Sequence, residues 1–207
     1  FVNSLLYASC TMVGSLAISA PAAYVLGRYV FKGNKLVRNG FITAMSLPQI
    51  MIILPLFSLA TQASLTGSKF VLIFIYIGMQ VPYTTTFLIS FFSSLSSVYE
   101  EAAAIDGCGP IQCFWKIMFP LAQPATVSIF NFIGKWNEYF MALIFANKSN
   151  LRPIGVGLYQ TVTSMMNSGD WAGMFASVVI VFVPTVVIYA FLSDKIISGV
   201  TAGGNKG

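Results

Sequence analysis

The sequence predicts an all-α, polytopic membrane helix bundle with five visible spans. Three observations carry this. Of 207 residues, 57% are hydrophobic and only 8% are charged, against about 25% charged in a soluble domain. Polar side chains are too few to cover a water-facing surface. The mean hydropathy is +0.80. Charges are also clustered, with none in 1–27, 39–68, 70–99, 117–134 or 171–193.

A helix needs about 20 apolar residues to cross the hydrocarbon core. Read for apolar content, the charge-free stretches predict spans over 4–27, 40–61, 70–92, 122–145 and 172–193. Each is too long for a barrel strand, and none alternates with period two. Backbone groups in lipid must bond internally, so these are helices. Pro21, Pro48, Pro55, Pro82 and Pro184 interrupt them. Membrane helices tolerate proline because neighbouring groups re-satisfy the freed carbonyls. The chain starts at Phe1 rather than Met, directly in an apolar segment. It is expected to be truncated at its N-terminus, as a single transmembrane domain over 1–207.

Orientation follows from Lys and Arg. The segment after the first span carries Arg28, Lys32, Lys35 and Arg38 and no acid. Placed inside, it puts Phe1 outside and the C-terminus in the cytoplasm. Lys116, Lys195 and Lys206 then join the inner side, while Lys69, Lys148 and Arg152 lie outside and Lys135 falls in a span. The net charge of +5 therefore reports positive-inside loops rather than nucleic-acid binding.

Composition excludes much chemistry. The chain has no histidine, which removes Ser-His catalysis, HExxH zinc sites and histidine-held haem. Cys10, Cys108 and Cys113 form no CxxC and no zinc spacing. No metal, no cofactor and no enzymatic activity are expected. An intramembrane aspartyl dyad fails because Asp106, Asp170 and Asp194 lie in loops or at span edges.

Two connections are long, an external one over 146–171 and a cytoplasmic one over 93–121. In the second, Ser97 to Glu100 fits the capping box S-x-x-E, which predicts a helix start. Glu100 and Glu101 sit in the first turn, where acids complement the helix dipole. Gly107 suits a left-handed helix end, and Pro110 suits the first position of a second helix. Phe114, Trp115, Ile117 and Met118 follow, and Pro120 is expected to stop that helix. Small residues beside aromatics suit a helix docked in another protein's groove. A loop folded back on its own membrane ends is an equally good reading of these residues.

The spacing Glu101-Ala102-Ala103, three residues, Gly107, nine residues, Ile117, one residue, Phe119-Pro120 resembles the EAA loop of ABC importer permeases. The pattern is EAA-x3-G-x9-I-x-LP, and Phe119 in place of Leu is the departure. Gly134-Lys-Trp136-Asn137-Glu138-Tyr139 and the tail Gly199-Val-Thr-Ala-Gly203-Gly-Asn-Lys206-Gly207 look like the maltose-type, carbohydrate-importing branch. Asn205 stands where Val is usual. The resemblance covers nearly the whole chain and implies six spans, with one N-terminal helix missing here. It implies a coupling helix carrying Glu101, Ala102, Ala103, Asp106, Gly107, Ile117 and Pro120, docked on a cytoplasmic ATPase subunit. It also implies a second permease subunit and an extracytoplasmic solute-binding protein. The only Gly-Lys pair, Gly134-Lys135, lacks the rest of a Walker A, so ATP is expected on the partner.

Within the fourth span, Asn131, Lys135 and Glu138 share a face at i, i+4, i+7. Lys135 and Glu138 are placed to pair at i, i+3. With Asn137 they are candidates to line a sugar pathway, on which Trp136 or Tyr139 stacks. Interhelical glue is the competing reading. Gln49, Gln80 and Tyr83 are further candidates. The alternative function is an ion-coupled secondary transporter or a channel subunit. Only Lys135 and Glu138 could serve ion coupling, and no inverted repeat is visible.

Overall fold

The computed structural model describes residues 1–122 and 124–204, with side chains to residue 190. Asn205, Lys206 and Gly207, singled out in the tail, lie outside the described residues. So do the side chains of Lys195 and of the tail from Gly199.

The described residues form helices and no strand. In chain order they are α1 Val2–Arg28, α2 Asn34–Ser46, α3 Gln49–Gln62, α4 Lys69–Ser94 and α5 Val98–Ile105. Next come α6 Pro110–Leu121, α7 Pro124–Trp136, α8 Phe140–Phe145, α9 Ile154–Ser168 and α10 Trp171–Gly204. Three stretches are long and apolar enough to cross a membrane unbroken: Val2–Arg28, Lys69–Ser94 and Trp171–Ala190. Two broken pairs, α2 with α3 and α6 with α7, bring the total to as many as five.

The breaks correct the expected spans. The second, read as continuous over 40–61, divides at Leu47-Pro48. Leu47 takes φ −73°, ψ 122°, the extended conformation that a following proline imposes. Pro21, Pro55, Pro82 and Pro184 stay inside helices. The fourth, read as continuous over 122–145, stops at Trp136 and resumes at Phe140. The stretch over 146–171, expected as a connection, is partly helical. It holds a 3₁₀ turn at Ser149–Leu151 and then α9, which Gly169 ends in the left-handed conformation at φ +75°.

The chain groups into two compact units. The first comprises Phe1–Met12, Pro48–Ile77 and Asn131–Ser193. Its core includes Tyr7, Ile53, Leu72, Tyr76, Trp136, Met141, Phe145 and Val156. Polar side chains of the first two turns of α1 bind it internally. Asn3 donates to the carbonyls of Asn150 at 2.8 Å and Arg152 at 3.1 Å, and accepts from Lys69 at 2.8 Å. Tyr7 donates to Leu151 O at 2.8 Å, and the Ile154 N–H, which has no partner within α9, donates to Ser4 Oγ at 2.7 Å.

The second unit comprises Val13–Leu47, Gly78–Phe130 and Asp194–Gly207. Its core joins Ala20, Ala23 and Tyr24 of α1 to Leu88 and Phe92 of α4, Ala103 of α5, and Cys113, Phe114 and Met118 of α6. Small residues let helices approach closely where lipid supplies no hydrophobic drive between them. Asn34 donates to Leu26 O at 3.0 Å and Tyr29 O at 2.8 Å, satisfying carbonyls at the end of α1.

Candidate functional site

Two groups of residues deserve description as sites, one in each unit. The first is the loop over 93–121. Helix α5 starts after Ser97 as expected, yet no capping box forms. Ser97 makes no side-chain cap bond, and Ser96 Oγ instead accepts from Val98 N at 3.3 Å. Glu100 is drawn away to α1. Its carboxylate accepts from Tyr24 Oη at 2.6 Å and from two nitrogens of Arg28, the Nε at 2.9 Å. A charge-assisted fork outweighs a neutral backbone cap. Burial pushes the Glu100 carboxyl up, but the bonds from Arg28 and Tyr24 outweigh it and hold the group below its ordinary value.

Gly107 ends α5 as the sequence predicts, with φ +74°. Cys108 N donates to Ala103 O at 2.9 Å, and Gly107 N to Ala104 O at 3.1 Å. These are the paired bonds of a Schellman motif. Pro110 begins α6, behind Gly109. The helix ends at Leu121, one residue past Pro120, as expected. A π turn over Phe114–Met118 precedes the proline. Widening of the helix there relieves the clash between a proline ring and the carbonyl four residues back.

The loop's faces are distinct. Ala103 is buried in its own unit's core with Cys113, Phe114 and Met118, while Ile117 and Phe119 are partly buried against it. Glu101, Ala102, Asp106, Gly107 and Pro120 are exposed. Ile105 is 87% exposed, and Ile111 and Trp115 also point outward. One face of the segment is thus folded back on its own unit, and the other is open. Beside it, Pro21, Tyr24, Val25, Tyr29, Pro110, Ile111, Phe114 and Trp115 line an apolar cavity of about 470 Å³.

The second group surrounds Tyr76. Lys135, 7% exposed, places Nζ 4.9 Å from the centre of the Tyr76 ring. Tyr76 Oη donates to Glu138 Oε2. Glu138 also accepts from Met141 N at 2.6 Å and Ala142 N at 3.4 Å, so it caps α8. Lys135 and Glu138 form no ion pair among the described residues. Their expected i, i+3 pairing needs a helix, and the helix stops at Trp136. Tyr76 takes both roles instead, its face toward the cation and its hydroxyl toward the anion.

Asn131 is fully buried. Asn137 is exposed, donates to Ile133 O at 3.0 Å, and accepts from Thr185 Oγ1 at 3.5 Å. Trp136 is buried and its ring is engaged, stacked on Phe132 at 6.0 Å and tilted on Phe1 at 6.2 Å. It is not free to stack on a sugar. Tyr139 stacks on Tyr159 at 5.7 Å and is 40% exposed. Gln80 and Tyr83 are partly buried, and Gln49 is exposed.

Sequence reasoning missed Arg28, Tyr24 and Tyr76 as partners. A usable signal existed for the first two. Tyr24 and Arg28 lie one turn apart at the end of an apolar segment, and an acid pair, Glu100 and Glu101, stands in the loop that follows the third apolar segment.

Comparison with known proteins places the chain. Residues 19–200 match the family described as binding-protein-dependent transport system inner membrane component. The diacetylchitobiose uptake system permease protein NgcG of Streptomyces coelicolor is 31% identical over 205 residues, covering 98% of this chain and 68% of that protein. The sulfoquinovosyl glycerol transport system permease protein SmoH of Agrobacterium fabrum is 33% identical, covering 99% and 72%. The trehalose/maltose transport system permease protein MalG of Thermococcus litoralis is 32% identical, covering 99% and 74%. A crystal structure of a bacterial ABC transporter that imports the acidic polysaccharide alginate shares the fold, with TM-score 0.80 at 24% identity. It covers 94% of this chain and 73% of that one. The chain therefore belongs to the family of inner-membrane components of binding-protein-dependent transport systems, whose members are permeases rather than enzymes.

Proposed function

We propose that this chain is the permease subunit of a carbohydrate importer. It forms half of the pathway for a sugar or oligosaccharide and is driven by ATP hydrolysis on a partner ATPase. The observation that carries the coupling role is the outward face of α5. Glu101, Ala102, Ile105 and Asp106 are exposed there, while Ala103 anchors the same helix in the core. A short helix with one buried face, and an open face of small and acidic residues beside the exposed Ile105, suits a groove on another protein. Relatives named for uptake of chitobiose, sulfoquinovosyl glycerol and trehalose or maltose support the substrate class.

The partners in this reading are cytoplasmic ATPase subunits, a second permease subunit and an extracytoplasmic solute-binding protein. ATP is bound by the ATPase, and the chain needs no cofactor of its own. Phe1 is outside and the C-terminus cytoplasmic. Ile117 packs α6 against the core behind the coupling helix, Gly107 sets the turn between them, and Pro120 lies at the exposed end of α6. Of the pathway candidates, Asn137 is exposed, which supports it as the residue that meets solute in this reading. Asn131, Lys135 and Glu138 shape that lining from within.

The test is affinity purification of the tagged full transporter from membranes. The reading predicts co-purification of an ATPase whose hydrolysis rises when sugar-loaded binding protein is added. A chain that transports with no ATPase attached contradicts it.

A further inference from the structure

We propose that Arg28 and Tyr24 of α1, with Glu100 of α5, form the joint that makes the first span follow the coupling loop. Glu100 is a positioning residue in this account and does not touch the ATPase. The inference rests on the coupling role given above to α5.

Adjacent acids part company on this helix. Glu101 is exposed, whereas the Glu100 side chain is 23% exposed and that of Arg28 12%. The guanidinium has five donors in a fixed fork, and here they reach from the end of α1 to two other elements. Two nitrogens meet Glu100 on α5. Nη1 donates to Leu95 O at 2.7 Å and Phe92 O at 3.4 Å, at the end of α4, where helix carbonyls lack internal donors. Arg28 itself is the last residue of α1.

Tyr24, one turn earlier on the same face of α1, donates to the other carboxylate oxygen at 2.6 Å. Both oxygens are thus held from one helix, which fixes the orientation of α5 as well as its distance. The helices behind the joint are close. A Cβ on Gly27 would lie 3.2 Å from Ser93 Oγ and 3.3 Å from Ile89 O. One turn along α5 from Glu100, Ala103 packs into the core with Ala20, Ala23, Tyr24 and Phe92.

These contacts transmit motion differently. Apolar packing is non-directional, so Ala103 keeps α5 close to the core without fixing its orientation. Charge-assisted hydrogen bonds are directional, and parting a half-sheltered ion pair strands its charges. A push on the outward face of α5 therefore reaches α1 through Glu100, and α1 is a continuous helix of 27 residues.

The test uses the whole transporter with its ATPase and binding protein in vesicles, and reads sugar taken up per ATP hydrolysed. Glu100→Gln should leave the ATPase bound and lower that ratio about tenfold, the equivalent of one hydrogen bond to a charged group. Tyr24→Phe, which keeps the ring and its packing, should lower it about threefold. The Tyr24→Phe variant keeps the test decisive if Glu100→Gln does not fold into the membrane. An unchanged ratio per assembled transporter in Tyr24→Phe, and in any assembled Glu100→Gln, makes these residues structural only and overturns the proposal. Loss of the ATPase in Glu100→Gln also overturns it, because Glu100 is then part of the docking contact. Gly107→Val run in parallel separates this from the parent reading. If that variant docks and transports normally, the coupling role of α5 itself has failed.

Discussion

Lys135 and Tyr76 form a cation–π pair, with the ammonium nitrogen 4.9 Å from the ring centre. The hydroxyl of the same ring donates to Glu138. An isolated charge at the centre of a membrane helix costs about 2.5–3.5 kcal/mol on insertion scales. One tyrosine here shelters a cation on its face and an anion at its edge.

The first prediction follows. Tyr76→Phe keeps the face for Lys135 but removes the donor to Glu138, so it should cost about 1.5–3 kcal/mol, the worth of a hydrogen bond to a charged group. Tyr76→Leu removes both interactions and should cost more. Glu138→Gln, which keeps acceptors for α8, should be milder than Glu138→Ala. Thermal unfolding in detergent measures all four. Sugar preference should shift in Asn137→Ala and not in Tyr76→Phe. The opposite pattern would make the tyrosine cluster the selective element.

The second prediction concerns orientation. A cysteine at Asn150, which is exposed, should react with an impermeant reagent added outside. The matching inner position should not be Asn34, which is buried and bonds the end of α1. Its exposed neighbour Lys35 is suitable and should react only after the membrane is opened. Both variants need a background with Cys10, Cys108 and Cys113 replaced. Labelling of Lys35→Cys from outside reverses the topology.

The third concerns acid. The Glu100 carboxyl is held below its ordinary value of 4.5. A depressed acid contributes stability that is present above its unfolded pKa and is lost as pH falls through its folded pKa. Anchoring of α5 should therefore be constant from neutral pH down to about 4.5 and weaken below it. Hydrogen-exchange protection at Ala103 to Ile105, corrected for intrinsic rates, reports this. In Glu100→Gln the protection should be low and independent of pH across that window.

The fourth concerns the close approach behind the Glu138 turn. A Cβ on Gly155 would lie 3.0 Å from Tyr139 Cβ and 3.1 Å from Glu138 O. The neighbours are backbone or a first side-chain carbon and cannot swing aside. Gly155→Ala should destabilise by about 1–3 kcal/mol, as overpacking does. Gly157→Ala, with nothing within 4 Å, should not. Equal melting of the two variants would remove the steric argument.

Long-range partners, more than local pattern, separate what was legible in the sequence from what was not. The charge-free stretches gave α1, α4 and the apolar part of α10 within a few residues. Gly107 was legible because a Schellman end needs a left-handed residue, and local bonds alone make it. Ser97 to Glu100 misled for the opposite reason. A capping box is local, and Arg28, 72 residues away, offers Glu100 a stronger partner. Lys135 and Glu138 misled because pairing at i, i+3 assumes a helix that in fact stops at Trp136. Helix α9 was hidden by Gly155 and Gly157, which lower helix propensity. Its first N–H is satisfied by Ser4, far away in sequence. The π turn over Phe114–Met118 is not written in composition.

The most direct measurement is ATP-driven uptake by three variants at Gly107, in vesicles with binding protein and ATPase. At φ +74° a side chain is strained although its Cβ would meet nothing within 4 Å. The left-handed conformation costs about 1–2 kcal/mol for a residue with a Cβ, too little to unfold the bundle but enough to misplace a docked helix. Asn tolerates that conformation best. The account predicts that Gly107→Val stays in the membrane, binds the ATPase weakly and stops uptake. Gly107→Ala should be intermediate, and Gly107→Asn should retain most of the activity. Glu101→Ala should weaken docking to a lesser degree than Gly107→Val. Normal ATPase recovery and normal uptake in Gly107→Val would contradict the account, because the loop would then be only a connector.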